Sequence, residues 1–288
     1  MDDQPPSEAL ETTAFLARSE NRVRLLDALR DESRPRRDLV DDTGVSSATV
    51  GRVLTEFQSR GWAERTQDGY VATSAGKRVL DEFEPFVGSI AAIQQLGDAV
   101  DWIPADDLAI DLRHFTDAVV RRPDRHDPVE ITDFFIDLLE ETTELRVFTH
   151  LVPIEAKEHR MLDGLRSGRL DLSIVATEGL LEYLASHPDH RDRHRAILEA
   201  GCTLSCYPDE IPCNLFIFDD LVMIADSYSE GENPYASIMS ENPAVLEWAR
   251  DLFDLYERQA EQVPADFYDG EVAESGEADR EEPPASVD

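Results

Sequence analysis

Between Gly44 and Gly61 the chain places Val50, Val53, Leu54 and Phe57 at i, i+3, i+4 and i+7. That spacing gathers four apolar side chains on one side of an α-helix and does not fit the two-residue alternation of a strand. Ser46 stands where an N-cap belongs, and Gly61 stands where a helix stops. A helix apolar on one side must bury that side, so its neighbours have to supply a core. Residues 14–30 do so, with Phe15, Leu16, Val23, Leu25, Leu26 and Leu29 at largely helical spacing. They read as two helical pieces, the second capped by Ser19 or Asn21. "SRPRRDLVDDTG" then predicts one more short helix, with Ser33 as cap, Pro35 in the first turn and Gly44 as stop.

A short helix, a glycine turn and a second helix with small polar residues in its first turn make a helix-turn-helix. In that motif the second helix enters the major groove of DNA N-terminus first. On this reading Ser46, Ser47, Thr49 and Arg52 face the DNA. The hydroxyls suit phosphates or base edges, and Arg52 suits bidentate pairing with guanine. Arg36 and Arg37 are expected near the DNA backbone, and Arg60 and Arg65 complete the candidate contacts. Beyond Gly61, "GWAERTQDGYVATSAGKRVL" predicts a two-stranded wing turning at "QDG". In this order the motifs resemble archaeal and bacterial winged-helix regulators, with "GVSSATVGRVLTEFQSRGWAER" and "GYVATSAGKRV" matching recognition helix, wing and following helix. Residues 74–100 read as a further helix carrying Val79, Leu80, Phe83, Phe86, Val87, Ile90, Ile93 and Leu96, with Pro85 as a kink. In winged-helix regulators such a helix often pairs two subunits, so a homodimer is expected, with packing on its own core as the alternative.

Charge argues against DNA until it is counted locally. The whole chain has 62 acidic and 27 basic residues and a net charge of −35. Residues 11–80, however, hold 12 basic and 11 acidic residues, a net of +1, which leaves −36 elsewhere. Only Lys77 and Lys157 are lysines. Abundant acid with almost no lysine resembles proteins of salt-accumulating halophilic archaea, in which the acid keeps the protein dispersed. In molar salt the Debye length is about 3 Å, so distant carboxylates scarcely repel a phosphate. Counterion release also adds little affinity there, and direct contacts must supply more of it.

The remaining sequence predicts a second domain. Helix and strand signals alternate from "VEITDFFIDLLEET" through "ELRVFTHLV", "EAKEHRMLDGLRSG", "LDLSIVAT", "EGLLEYLASH" and "HRAILEAG". "CTLSCYP", "CNLFIFDD" and "LVMIADS" follow as strands, and "ENPAVLEWARDLFDLYERQAEQ" closes as a helix. This predicts an α/β domain with a partly parallel sheet ending in a hairpin. The expected organisation is an α+β winged helix-turn-helix domain at 8–97, a connector at 98–127, the α/β domain at 128–264 and a disordered acidic tail at 265–288, with a short disordered stretch at the start.

The α/β order resembles the middle domain of the archaeal methanogenesis and filamentation regulators, and also a degenerate half of a phospholipase D-like fold. That fold's signature is His, any residue, Lys, four residues, Asp. Here Pro212 stands at the His position and Asn214 at the Lys position, and only Asp219 remains. Without nucleophile and phosphate-binding cation, phosphodiester chemistry is not expected. Nor is any other enzyme activity, since no other catalytic set replaces the missing pair. The ends of predicted strands in an open α/β sheet commonly build sites. This singles out His150, Thr177, Glu178 and Asn214 as pocket residues for a small-molecule effector.

His190 and His194 stand at i, i+4, a spacing open to a divalent metal. Pro188 and the crowding arginines favour a solvated surface loop. Cys202, Cys206 and Cys213 are too few for a disulfide framework. Core packing is their expected role, a three-cysteine redox or zinc sensor the alternative. No cofactor, metal or membrane span is expected, and the reading is cytoplasmic: a transcription regulator with double-stranded promoter or operator DNA as partner. An enzyme with an accessory winged helix, or a protein–protein adaptor, are the competing classes.

Overall fold

The computed structural model describes residues 7–104, 109–122, 130–225 and 236–269. They divide into two compact units, 1–91 and 92–288.

In the first unit α1 (Ser7–Ala17) and α2 (Glu20–Asp27) precede α3 (Arg36–Thr43) and α4 (Ser47–Ser59). Gly44 takes a left-handed φ of 66° and its N–H bonds back to the Val40 carbonyl, which ends α3 and turns the chain into α4. The i, i+3, i+4, i+7 set of α4 is buried as its spacing requires, against Leu16, Leu26, Leu29 and Leu39. β1 (Ala63–Arg65) and β2 (Tyr70–Ala72) pair antiparallel as the wing, and Arg34 adds a bridge across Tyr70. α5 (Ser74–Leu96) follows. Two of the expected caps differ. Ser33 is not the cap of α3, which starts after Pro35; its hydroxyl meets that of Thr66 instead. Ser19 does stand at the N-cap of α2, but without a side-chain cap bond.

The second unit is a three-layer α/β/α arrangement. β4 (Glu144–Thr149), β5 (Asp171–Thr177) and β6 (Thr203–Tyr207) run parallel. β7 (Asn214–Phe218), β8 (Leu221–Ala225) and β9 (Ser237–Ser240) continue the sheet antiparallel from β4. The edges are β3 (Val119–Arg121), paired with β9, and β10 (Glu261–Gln262), paired with β6. Side chains alternate between two cores. Val147, Ile174, Leu204 and Phe216 meet α6 (Glu130–Glu141), α7 (Glu155–Arg166), α8 (Glu178–Ser186) and α9 (Pro188–Glu199). Phe148, Val175, Leu215 and Ile217 meet α10 (Pro243–Glu257) and the short helical turns at Gly97–Trp102 and Leu112–Phe115.

Three expectations are revised. The stretch 98–127 is more than a connector: Ile103, Phe115 and Ala118 are core residues, and Val119–Arg121 is a sheet strand. The 105–108 and 123–127 parts of it lie outside the described residues. The histidine run is not a loop, because Pro188 occupies the first turn of α9, where its missing N–H costs nothing, and His194 is buried. The chain also stays packed past 264, since Tyr268 is buried against α9, its carbonyl accepting from Arg195 at 2.9 Å. The disorder expected of 270–288 and of 1–6 lies outside the described residues.

Candidate nucleic-acid interface and effector cleft

The outward side of α4 exposes Ser47, Ala48, Arg52 and Thr55. The one carboxylate of this helix, Glu56, lies toward its far end. Arg52 makes no hydrogen bond or ion pair among the described residues, so its guanidinium is available to a ligand. The first turn is less uniformly free. Ser46 is spent on capping: its oxygen accepts from the Thr49 N–H at 3.4 Å and its hydroxyl donates to Thr49 Oγ1 at 3.0 Å. Thr49 is half-buried. Ser47 and Arg52 are therefore the open contacts of the four.

The flanking arginines separate into distinct roles. Arg37 is 84% exposed at the start of α3, its one ion pair among the described residues being with Asp38 at 3.3 Å. Arg36 turns onto the first turn of α4, donating to the Ser47 carbonyl beside Gly51. A methyl group at Gly51 would fall 2.6 Å from that guanidinium, so the glycine makes room for the contact. Arg65 is exposed on the wing without an ion-pair partner among the described residues. Arg60 does not belong with the others: at the opposite end of α4, about 20 Å along its axis, its guanidinium sits 4.2 Å from the Phe15 ring centroid and 4.0 Å from Glu56. It packs over the aromatic group Phe15, Phe57 and Trp62. Arg60→Ala is accordingly expected to cost about 1 kcal/mol of stability, the worth of a part-exposed cation–π contact, with DNA affinity unchanged. Denaturant titration beside a binding curve separates the two effects.

In the second unit the C-terminal ends of the parallel strands bring His150, Thr177 and Glu178 together. With Glu210 and Pro212 they line an open cleft of about 550 Å³. Thr177 also caps α8, accepting from the Leu180 N–H at 3.3 Å. Asn214, expected in the cleft, is instead fully buried beneath it. Its Oδ1 accepts from the Thr149 hydroxyl at 2.9 Å and from the His150 N–H at 3.0 Å, and its Nδ2 lies 3.4 Å from His150 Nε2. It positions His150 and is not among the residues that line the cleft. Asp219 lies at the other end of β7, accepting from the Glu144 N–H at 2.8 Å and from the Thr143 hydroxyl and N–H at 2.9 and 3.0 Å. Burial pushes its carboxyl up, but these hydrogen bonds outweigh that and hold it below the ordinary carboxylate range. The Asp that remains of the signature is thus a structural clasp between β7 and β4.

A buried ionic cluster escaped the sequence reading. Glu158 on α7 is fully buried, 3.0 Å from His194 Nε2 and 3.3 Å from His190 Nδ1, and it accepts from Arg193. Burial pushes its carboxyl up, and His194 first, then Arg193 and His190, pull it below its ordinary value. Beside it Lys157 is 6% exposed, its ammonium 3.9 Å from the Phe135 ring centroid. The signal was present: Lys157, Met161 and Leu165 fall at i, i+4, i+8, an inward stripe. Among the described residues no group of three or more His, Cys, Asp or Glu is placed to hold a metal. The three cysteines are not gathered into one cluster. Cys202 packs on the α6–α9 side of the sheet and Cys213 on the α10 side, and burial pushes the Cys202 thiol up to about 12.

A helix-turn-helix with a wing, followed by a mixed α/β unit with a cleft at its parallel strand ends, defines a two-part architecture. Residues 10–95 match the HVO_A0261 N-terminal domain, and residues 128–259 match the middle domain of the methanogenesis regulatory protein FilR1. The two matched segments follow one another along the chain in that order. No curated protein matches it. Among solved structures it is similar to TrmBL2, an archaeal chromatin protein with a novel mode of DNA binding (15% identity, 88% of this chain and 99% of that chain, TM-score 0.40). It is also similar to Nuc, a phospholipase D family member from Salmonella typhimurium (12%, 51% and 97%, TM-score 0.41). A third is an IclR homolog from Microbacterium sp. strain HM58-2 (13%, 85% and 96%, TM-score 0.23). All three are distant. Among the described residues no helix is long and apolar enough to cross a membrane.

Proposed function

We propose that the chain is a cytoplasmic, DNA-binding transcription regulator that works as a homodimer, with an α/β unit that senses a small molecule. The observation that carries the DNA reading is the outward side of α4, where Ser47 and an Arg52 unpaired among the described residues stand on a helix whose inward side is fully used by the core. The match of residues 128–259 to a domain of a methanogenesis regulator supports the regulatory role. Dimerisation is supported by Phe86, Val87, Ile90 and Ile93, which are exposed at helical spacing along α5. The cleft at His150, Thr177 and Glu178 supports effector binding. Coupling requires that the effector bind the DNA-competent and DNA-incompetent states with different affinity.

The α/β unit is a non-catalytic relative of half a phospholipase D-like fold. Pro212 and Asn214 stand where nucleophile and cation would be, and Asn214 and Asp219 are both committed to holding strand ends. The acid excess suits a halophilic archaeon.

Fluorescence anisotropy with DNA from the chain's own promoter region, in molar KCl, tests the reading. Arg52→Ala is expected to weaken binding roughly 10- to 100-fold, the worth of one bidentate base contact, and adding Ser47→Ala to abolish specific binding. If the wild-type chain retains no promoter fragment, the reading is sunk.

A further inference from the structure

Gly51 lies in the second turn of α4, inside the helix that carries the DNA reading. A glycine there weakens a helix relative to alanine, because it has more backbone freedom to lose. The backbone does not ask for one, since Gly51 lacks the left-handed φ of Gly44 and Gly61. The three atoms that an added methyl group would meet first all belong to the guanidinium of Arg36, at 2.6, 2.7 and 3.0 Å. The space a side chain would take is filled by an arginine from α3.

That guanidinium lies on the outward side of the recognition helix. Arg36 is exposed at the start of α3, donates to the Ser47 carbonyl and makes no ion pair among the described residues. Ser47 and Gly51 stand about one turn apart on the same side of α4, and Arg52 projects about 100° further around the axis. Ala48 and Thr55 lie between those directions, and Thr55 turns its hydroxyl back to the Gly51 carbonyl at 3.0 Å. The outward side of α4 is thus a low lane of small residues with a guanidinium on each flank. One belongs to α4 itself, and the other is laid there by α3.

Arg37 provides the contrast. Its exposed, extended side chain suits a phosphate, which a mobile cation can meet from many directions. Arg36 is anchored to a helix carbonyl and seated over a glycine, so less ordering remains to be done on binding. A guanidinium has five N–H donors in a fixed fork. With one spent on Ser47, the rest can still supply the two parallel bonds that a guanine edge accepts at O6 and N7.

We propose that Arg36 is a specificity-determining residue of the DNA interface, reading a guanine in the major groove from α3 beside Arg52, with Gly51 as the socket that holds it there. The inference rests on the DNA reading above. It moves Arg36 from the phosphate backbone, where its sequence position places it, to the base edges.

Anisotropy titrations of the full chain in molar KCl compare the promoter fragment with a scrambled duplex of the same composition. Arg36→Ala is expected to lower the ratio of the two affinities about tenfold, within the range for one bidentate base contact. Arg36→Lys keeps the charge without the fork and is expected to lower it nearly as far. Gly51→Ala separates reading from folding. Its methyl group displaces the guanidinium while alanine strengthens the helix, so the ratio is expected to fall by a similar factor with no loss in thermal midpoint. Combining Gly51→Ala with Arg36→Ala is expected to be no worse than either alone, because both remove the same contact. Replacing promoter guanines with 7-deazaguanine removes the N7 acceptor, and the penalty is expected to be smaller for Arg36→Ala than for wild type. Equal losses on promoter and scrambled DNA would make Arg36 a phosphate contact and overturn the inference. A wild-type ratio in Gly51→Ala, or an equal 7-deazaguanine penalty in both proteins, would overturn it too. A wild-type chain that binds neither duplex, or both alike, would instead overturn the DNA reading beneath it.

Discussion

Glu158→Ala is expected to remove about 3–5 kcal/mol from the stability of the α/β unit, the cost of leaving buried charge without its partner. Arg193, half-buried, would be left with Glu155 at 3.9 Å, and His190 and His194 would lose the carboxylate they share. Salt does little to relieve this, because ions screen buried charges poorly. The sign of the pH dependence follows from the direction of the shift. Glu158 ionises more readily folded than unfolded. Its contribution is therefore complete above the ordinary glutamate value of about 4.3 and is lost as pH falls through the lower folded value. Guanidinium titrations at pH 7 and at successively lower pH should show wild type losing stability over that interval and Glu158→Gln losing less. A Glu158→Ala protein of wild-type stability would show that the cluster is dispensable.

Gly76→Ala acts on the other unit, with an expected cost of about 3 kcal/mol, the upper range for overpacking. Gly76 lies in the first turn of α5, and a methyl group there would fall deep inside the van der Waals radius of the Trp62 carbonyl oxygen. That carbonyl is fixed, accepting from the Thr73 N–H at 2.9 Å, while Thr73 Oγ1 accepts from the Gly76 N–H at 3.1 Å. No side chain can swing away, so α5 must part from the wing. Loss of promoter binding should accompany the loss of stability, since the wing and α4 share one core. The intrinsic helix preference of alanine over glycine offsets only about 1 kcal/mol. An unchanged denaturation midpoint, followed by tryptophan emission, would contradict the packing described.

Local signals made the first unit readable. The spacing of α4, Ser46 as its cap and Gly44 as its turn all act within a few residues of one another. What failed there was a matter of destination. Arg60 is as basic as Arg52, and only the distant Phe15 reveals that it stacks instead of pointing outward. The parallel strands β4 to β6 were readable from their apolar runs, and with them the strand ends that place His150, Thr177 and Glu178. β3 was not, because three residues acquire a strand's identity only from β9, more than a hundred residues later. The two-residue β10 depends in the same way on β6. Pro188 misled by a different route: the rule that proline breaks helices is silent about proline beginning one, so the ionic cluster of α9 was read as loop.

The shortness of those same edges has a bearing on solubility. A sheet edge offers unpaired N–H and C=O groups to any second sheet, and proteins commonly guard it with charge. At molar salt that guard is weak beyond a few ångströms. A sheet that ends in three residues on one side and two on the other limits the ladder an intruding strand can build, by geometry that no ionic strength alters. Lengthening either edge would therefore invite aggregation even if every surface carboxylate were kept.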